Sequence, residues 1–327
     1  MKCASLVNIN QKSLRHFVWI MVILASAYTA CQRKPPEPPG YRILGQWGGP
    51  GSEAGRLSEP QGLAVDKKGN LYVAEAGNNR VQVFSPDGRS LFVFGKPGDG
   101  PGEFQKPLDV AIDADQGRVY VVDFALDRVQ VFSREGKYLF GWGKSGTKPG
   151  EFLSPTGIAV NRQGHVYVVE FYGHRVQEFS HEGRFLSQWG GEGSADGQLM
   201  YPVRVTVGPA DAIYVVDTHN YRLQKFDNKG RFIFKYDKHG NAPGYMDDPV
   251  GLGFDAKGRW HIADSANYRV QMITPEGQFL AEWKLPDVPA ERLQSPAAVA
   301  VSDGRVLYVS DVANHRIYKL AITGIDH

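Results

Sequence analysis

The sequence repeats at a nearly fixed interval, and this constrains its fold more than any other feature. The motif NNRVQVFSPDG at residues 78–88 returns in close variants down the chain. Its arginine recurs at intervals of 48, 47, 47, 47 and 47 residues, in step with a proline about 20 residues earlier. The arginines are Arg80, Arg128, Arg175, Arg222, Arg269 and Arg316, and the prolines are Pro60, Pro107, Pro155, Pro202, Pro249 and Pro296. Such a period indicates an array of similar units, here six.

Each unit reads as four short strands separated by turns. In the first unit they are GLAVD, NLYVAE, RVQVF and SLFVFG. Val, Tyr and Phe are frequent, and no stretch has sustained 3.6-residue periodicity, which favours strands over helices. One four-stranded sheet cannot bury both of its faces, but six sheets packed radially can. The sequence therefore predicts an all-β fold, a six-bladed β-propeller of four-stranded antiparallel blades.

The two ends of the repeat region predict how the ring closes. After Arg316 the last unit runs IYKLAITGIDH, which supplies a third strand without a clear fourth. Before the first proline, YRILGQWG at residues 41–48 matches the fourth-strand segments of the other units, such as RFLSQWG. We therefore expect the N-terminal strand to pair with the last blade.

The repeat sequences resemble a known family. PQGLAVDKKGNLYVAEAGNNRVQVF and PTGIAVNRQGHVYVVEFYGHRVQEF are similar to the NHL repeats of six-bladed propellers, and the resemblance extends over about residues 41–320. Combined with the N-terminal features described next, it points to a bacterial exported lipoprotein type of this family.

Residues 1–30 have the pattern of a secretory signal peptide. Lys12 and Arg15 precede a 14-residue apolar run at 17–30, which is shorter than the roughly 20 residues of a membrane-spanning helix. An uncleaved transmembrane anchor is the alternative. The residues YTAC around Cys31 resemble the lipobox of bacterial lipoproteins, although Tyr28 stands where Leu or Val is usual. The resemblance implies lipidation of Cys31, whereas an ordinary signal peptide would make this cysteine incidental.

The segment after Cys31 predicts a tether and a location. Residues 31–40 are proline-rich and indicate a short, extended tether, followed by the propeller at 41–327. Gln32 is not aspartate, and by the lipoprotein rule this implies an outer-membrane anchor, facing the periplasm or the cell surface. We thus expect a cell-envelope protein held by its lipid alone.

An acid ends the second strand of every unit, five residues before the repeated arginine. These acids are Glu75, Asp123, Glu170, Asp217, Asp264 and Asp311. A pair present in every blade predicts a structural charge-assisted hydrogen bond and not a functional ring of charge.

Candidate binding residues lie where single blades depart from the pattern. Two residues after the opening proline, Asp109 and Arg204 replace small residues at the expected channel rim. In the loops between second and third strands, blades 2 to 4 carry aromatic residues where other blades are small and polar. These are Phe124, Phe171, Tyr172, His219 and Tyr221. Aromatic groups with a few polar groups predict a ligand site on this face; alternatively, the rings cover blade edges and the two charges are solvated or paired with neighbours.

Three classes of function follow from this pattern. The first is a noncatalytic recognition module without a cofactor, binding a protein, peptide or glycan of the envelope. The second is a metal-dependent lyase or lactonase-type hydrolase at the channel mouth, with bound calcium or zinc. NHL-like lyases hold zinc with histidines directly after the opening proline, but here those positions are Gln61, Leu108, Thr156, Val203, Val250 and Ala297. For calcium, Asp109 is one carboxylate where several are expected. The third class is a passive spacer.

Net charge argues against a nucleic-acid partner. The chain carries +2 overall, and its inferred binding face combines Arg204 with Asp109 and Asp127. Phosphate binding needs a clustered basic surface. We therefore expect no nucleic acid.

Overall fold

The strands of the described chain form six four-stranded antiparallel sheets. The computed structural model describes residues 37–285 and 292–324. The propeller unit begins at Pro39. The predicted signal peptide, Cys31 and most of the predicted tether lie outside the described residues. Within those ranges, no helix has the length and apolar character needed to cross a membrane.

The strand bounds follow the predicted repeat closely. The first thirteen strands are β1 (Gly40–Gly48), β2 (Pro60–Val65), β3 (Leu71–Glu75), β4 (Arg80–Phe84), β5 (Ser90–Phe94), β6 (Pro107–Asp113), β7 (Arg118–Asp123), β8 (Arg128–Ser133), β9 (Tyr138–Trp142), β10 (Pro155–Val160), β11 (Val166–Glu170), β12 (Arg175–Phe179) and β13 (Phe185–Gly190). The others are β14 (Arg204–Val207), β15 (Ile213–Asp217), β16 (Arg222–Phe226), β17 (Phe232–Tyr236), β18 (Pro249–Phe254), β19 (Trp260–Asp264), β20 (Arg269–Ile273), β21 (Phe279–Trp283), β22 (Pro296–Ser302), β23 (Val306–Asp311) and β24 (Arg316–Thr323). Short 3₁₀ turns lie at Pro209–Asp211 and Thr218–Asn220.

The sheets are the blades of a six-bladed β-propeller, as predicted. Blades 1 to 5 are β2–β5, β6–β9, β10–β13, β14–β17 and β18–β21, and blade 6 has the order β22-β23-β24-β1. Strand β1 pairs antiparallel with β24, from Gly40 opposite Thr323 to Gly48 opposite Arg316. The N-terminal strand therefore closes the ring, which confirms the sequence prediction.

The first strand of each blade lines the central channel. We call the end of the channel where these strands begin the top face. Pro60 pairs with Glu75 and Glu75 with Arg80, so the loop between second and third strands lies at this same end. The linkers between blades also arrive there. The opposite, bottom face holds the tight turns and the start of β1 at Gly40.

Hydrophobic cores lie between neighbouring blades. Between blades 1 and 2, for example, Val81 and Val83 pack with Val119 and Val121. Each linker adds one fully buried apolar side chain: Leu57, Phe104, Phe152, Leu199, Met246 and Leu293. Burying apolar area contributes about 25 cal/mol per Å², so the blades gain most of their stability from one another.

A turn glycine on the bottom face lets an aromatic ring of the preceding blade pack closely. Gly183 has φ +80°, and a Cβ there would lie 2.7 Å from the ring of Trp142. Positive φ and this close approach both exclude larger residues. Gly88 with Trp47 and Gly230 with Trp189 repeat the arrangement.

Buried polar side chains fasten each linker to the blade that follows it. In blade 4, Arg222 Nε donates to Asp217 Oδ2 at 2.7 Å, and its terminal nitrogens donate to the carbonyls of residues 194, 195 and 198. Gln224 Nε2 donates to the carbonyl of residue 198 at 2.6 Å, and its Oε1 accepts from the N–H of Gly197 at 2.9 Å. These bonds satisfy backbone groups that no strand partner reaches.

The predicted acid–arginine pair forms in four blades. The Nε–carboxylate distances are 2.7, 2.7, 2.7 and 2.8 Å in blades 1, 3, 4 and 5. In blades 2 and 6, Asp123 and Asp311 instead accept N–H groups of the incoming linker. Arg128 still donates to three linker carbonyls. The prediction of a structural role is confirmed, and the linker backbone is the shared partner.

The closing strand contacts blade 5 through a buried histidine. Tyr41 Oη lies 2.8 Å from His261 Nδ1, and His261 Nε2 lies 3.2 Å from Asp255 Oδ2. Arg259 Nε donates to the same Asp255 oxygen at 2.6 Å. Burial lowers the pKa of His261 below its usual value. Burial alone would raise the pKa of Asp255, but hydrogen bonds from His261 and Arg259 outweigh it and hold that pKa below the usual range.

This site predicts acid sensitivity of the fold. Because the folded-state pKa of His261 lies below its ordinary value of 6.5, the unfolded chain takes up this proton first as the pH falls. The contribution of His261 to the unfolding free energy is therefore fully present above pH 6.5. Below that pH the unfolding free energy decreases, by at most about 1.4 kcal/mol per pH unit from this group. Urea unfolding of His261→Gln between pH 7.5 and 5 is expected to show a flatter pH dependence than the parent chain. The control is exposed His239→Gln, and equal slopes for the parent and His261→Gln would contradict the prediction.

Candidate functional site

Five aromatic rings meet on the top face of blades 3 and 4, and we call them the aromatic patch: Phe171, Tyr172, His174, Tyr201 and His219. The ring of Tyr201 lies at the centre, with centroid distances of 4.9 Å to Phe171, 6.0 Å to Tyr172, 4.7 Å to His174 and 4.7 Å to His219. Most pairs are edge-to-face or tilted, the geometry that aromatic rings prefer. Tyr172 is 56% exposed and His219 is also exposed, so the patch faces solvent.

Local backbone geometry holds the patch in place. Tyr201 has φ +46° and precedes the opening proline of blade 4. Its N–H donates to His174 Nδ1 at 3.2 Å, which ties the linker to the loop of blade 3. His219 sits on the 3₁₀ turn of blade 4, and its N–H donates to the carbonyl of Met200 at 3.3 Å. The rings are therefore positioned by hydrogen-bonded backbone.

Three of the predicted aromatic residues come together, and two do not. Phe171, Tyr172 and His219 belong to the patch. Phe124 instead lies under the ammonium group of Lys106, 5.2 Å from the ring centroid. Tyr221 stacks on His239 with a centroid distance of 3.8 Å and an interplanar angle of 9°. The aromatic surface is thus narrower than the sequence indicated, spanning two blades and not three.

Tyr201 was missed by the sequence analysis, although a signal exists. The residues before the six opening prolines are Glu59, Lys106, Ser154, Tyr201, Asp248 and Ser295. Tyr201 is the only aromatic residue among them. A comparison of the residues before the six opening prolines, in addition to the loops between strands, identifies Tyr201 as the one that differs.

Asp109 and Arg204 form a buried ion pair inside the channel, not two free charges at its rim. Arg204 extends its guanidinium from blade 4 to Asp109 Oδ1 in blade 2. Asp109 Oδ2 accepts the N–H of Ile158 in blade 3 at 2.9 Å. Asp109 is 2% exposed, and Arg204 Nε is buried with no acceptor among the described residues. The geometry thus favours the alternative that the two charges are paired, and it shows that each is the other's partner.

Small residues make room for this pair. The ring of residues at its level is Gly62, Asp109, Gly157, Arg204, Gly251 and Ala298. A Cβ on Gly62 would lie 2.2 Å from Asp109 Oδ1, and one on Gly157 would lie 3.0 Å from the Cα of Arg204. Burial raises the pKa of the Asp109 carboxyl, and the charge of Arg204 and the N–H of Ile158 act against that rise. The pair therefore spans the channel in a space that the glycines leave open.

Two cavities border the side chain of Arg204. One, of about 220 Å³, lies within the channel among the six first strands, and the other, also about 220 Å³, opens at the top face. Arg204 lines both cavities. We call the upper cavity the channel mouth; its wall includes the residue after each opening proline, namely Gln61, Leu108, Thr156, Val203, Val250 and Ala297.

The described residues do not offer a metal site at this mouth. None of the six wall positions is a histidine, and both oxygens of Asp109 are already engaged. Throughout residues 37–285 and 292–324, no group of three His, Cys, Asp or Glu side chains is placed to hold a metal ion. Asp109, the carboxylate considered for calcium, is thus engaged in an ion pair with Arg204 and a hydrogen bond from a backbone N–H.

Known structures share the propeller fold of this chain. The fold resembles virginiamycin B lyase from Staphylococcus aureus, with a TM-score of 0.59, 17% identity, and coverage of 86% of this chain and 99% of that one. It also resembles a protein of unknown function from Bacteroides thetaiotaomicron, with a TM-score of 0.65, 14% identity, and coverage of 88% and 76%. At these identities the likeness shows the fold alone. A family model described as a 6-bladed beta-propeller matches residues 116–189.

Sequence similarity identifies the repeat. The NHL repeat model matches residues 57–84 and 199–226. Protein wech of Drosophila melanogaster is 55% identical over 42 residues, which cover 13% of this chain and 5% of that protein. The mouse E3 ubiquitin-protein ligase NHLRC1 is 31% identical over 105 residues, which cover 31% of this chain and 24% of that protein. The matches thus span a quarter or less of these relatives. The chain is a six-bladed β-propeller that contains NHL repeats.

The ion pair predicts strong coupling between two distant blades. Arg204→Leu leaves the Asp109 carboxylate buried and unpaired, so the unfolding free energy at pH 7 is expected to fall by about 3 kcal/mol. Because burial already raises the folded-state pKa of Asp109, the folded variant binds a proton more readily than the unfolded chain, and the loss shrinks as the pH falls. Urea unfolding measures both effects.

A double-mutant cycle provides the control. Asp109→Leu with Arg204→Leu is expected to cost clearly less than the sum of the single changes, since no buried charge is left. Additive losses would show that the two side chains do not interact.

Proposed function

We propose that this propeller is a noncatalytic recognition module whose aromatic patch binds a protein or peptide on the top face. The observation that carries the proposal is the cluster of five rings at the loops of blades 3 and 4, with Tyr172 56% exposed at its edge. Large exposed aromatic side chains are costly to leave in water and are enriched at protein interfaces. Interblade packing does not need them there, because the same loops of blades 1 and 6 carry small residues such as Gly77 and Ala313.

A hydrogen bond and ring packing hold side chains of the patch in place, which favours a binding role over a passive one. Tyr201 and His174 are linked by a backbone–side chain hydrogen bond, and the rings of Phe171 and Tyr201 pack at 4.9 Å. Side chains that are already ordered lose little conformational entropy when a partner arrives. A partner therefore gains contact area without a large ordering cost.

The relatives support a protein partner. Several matched proteins are named E3 ubiquitin-protein ligases, enzymes that act on other proteins. The NHL repeat model matches residues 199–226 of this chain, which include Tyr201 and His219 of the patch. A glycan, which can also lie on aromatic rings, is the other outcome that the binding experiment distinguishes.

We also propose that the chain is anchored in the bacterial cell envelope through a lipid on Cys31. Support comes from the signal-like residues 1–30 and from the position of Gly40, where β1 starts at the bottom face. The aromatic patch lies at the top face. Gly40 and the aromatic patch therefore lie at opposite faces of the propeller.

The binding proposal predicts loss of partner capture without loss of stability. The full chain carrying Tyr172→Ala is expected to retain less than one tenth of a cross-linked envelope partner, measured by quantitative mass spectrometry. Its melting temperature should be nearly unchanged, because Tyr172 is exposed. The matched control is Tyr268→Ala, a 41% exposed tyrosine in the equivalent loop of blade 5.

Equal capture by Tyr172→Ala and Tyr268→Ala would contradict the proposal. Capture that resists proteinase but disappears after glycosidase treatment of the extract would replace the protein partner with a glycan.

The anchoring proposal predicts a change of cell fraction. Cys31→Ser, expressed in a bacterium and fractionated, is expected to leave the membrane pellet and to lose incorporation of an alkyne-labelled fatty acid. Cys3→Ser is the control and should keep both properties. A Cys31→Ser chain that stays in the membrane would favour the transmembrane alternative.

A further inference from the structure

The channel mouth is a small, mostly apolar depression in the top face. Its volume is about 220 Å³. Leu108, Val203, Val250 and Ala297 make up most of the ring contributed by the residues after the opening prolines. Gln61 and Thr156 complete that ring, and Thr156 Oγ1 already donates to the carbonyl of Pro202 at 3.2 Å. The wall therefore presents mainly hydrocarbon to anything that enters.

The floor of the mouth carries no net charge. Arg204 is the ionisable side chain among the residues that line it, and its guanidinium is held by the Asp109 carboxylate. An entering carboxylate would compete with Asp109, and an entering ammonium would meet the guanidinium. Either charge would also lose its water against an apolar wall, which is costly. An uncharged apolar group avoids each of these costs.

The wall of the mouth and the aromatic patch are neighbours along the chain. Tyr201 of the patch and Val203 of the mouth are separated only by Pro202. In blade 3, Thr156 of the mouth begins the same blade whose loop carries Phe171 and Tyr172. Tyr201 of the patch and Val203 of the mouth are thus two residues apart at the top face.

We propose that the channel mouth receives one uncharged apolar side chain of the partner, while the partner's backbone lies across the aromatic patch. This inference rests on the proposed function and gives it a partner chemistry, an extended peptide with a single aliphatic or phenyl anchor. Binding energy at protein interfaces concentrates in such anchors seated in central pockets. The Asp109–Arg204 pair sets the preference for an uncharged anchor.

Peptides selected from a random phage-displayed library on the full chain test the proposal. Selected sequences are expected to share one position occupied by Leu, Ile, Met or Phe. In synthetic peptides, replacing that residue by Ala, Glu or Lys should weaken binding at least tenfold in fluorescence polarisation. A library that yields no peptide above a protein-free control, or peptides without such a position, would overturn the proposal.

A variant that fills the channel mouth provides a second test of the proposal. Ala297→Phe is expected to weaken binding of the selected peptides at least tenfold, because the new ring occupies the cavity. Ala313→Phe makes the same change in an exposed loop of the same blade and should bind as the parent does. Normal binding by Ala297→Phe together with loss in Tyr172→Ala would overturn the anchor but keep the patch. Normal binding by both variants would overturn the patch as well.

A third variant tests whether the Asp109–Arg204 pair sets the preference for an uncharged anchor. Asp109→Asn leaves the charge of Arg204 unpaired while keeping an oxygen that can accept from the N–H of Ile158. The ratio of affinities for the Glu-anchored and Leu-anchored peptides is expected to rise at least tenfold in this variant. An unchanged ratio would show that the ion pair does not set the preference.

Discussion

The linker between two blades has few strand partners, so side chains must form the hydrogen bonds that its backbone N–H and C=O groups need. The regular packing of the whole ring depends on these hydrogen bonds. In blade 5, Gln271 Oε1 accepts from the N–H of Gly244 and its Nε2 donates to the carbonyl of Tyr245, with Asp264 as a further acceptor. A buried backbone group without a partner costs about 1–3 kcal/mol. A Gln on the third strand makes the same two hydrogen bonds to the linker in blades 1 to 5. The linkers it binds therefore have similar backbone conformations, and this produces a regular ring.

That regularity confines functional variation to a few places. Acid, arginine and glutamine positions cannot change without leaving linker groups unpaired, and the blade interfaces are filled by apolar side chains. Some loop residues also bind the linker, as His174 does, but the loops and the residues beside the opening prolines differ more from blade to blade. The aromatic patch and the ion pair occur there, in blades 2 to 4, and the channel mouth is lined by the residues after all six opening prolines. A repeated scaffold with one irregular sector is a form suited to recognition.

Particular residues show how far sequence reasoning reached. The six blades, the closing strand from Gly40 and the structural role of Glu75 with Arg80 follow from period and composition, because those features concern neighbours fixed by the repeat. The partner of Arg204 did not follow, since Asp109 lies 95 residues away and two blades apart. The sequence pattern also did not place Tyr201 and His174 in the site, although a hydrogen bond between them holds the aromatic patch together. Such contacts arise from the radial arrangement and have no local signature.

By itself, the sequence determined the number of blades, their four-stranded antiparallel form and the way the ring closes, because hydrophobic alternation and a 47-residue period are properties of the chain read in order. It also identified the blades that depart from the pattern. Only the tertiary structure decided which departures meet: Phe171, Tyr172 and His219 join Tyr201, whereas Phe124 and Tyr221 find other partners. It also decided that the channel charges neutralise each other. The physical reason is that radial packing brings together residues from separate blades at distances that sequence separation does not encode.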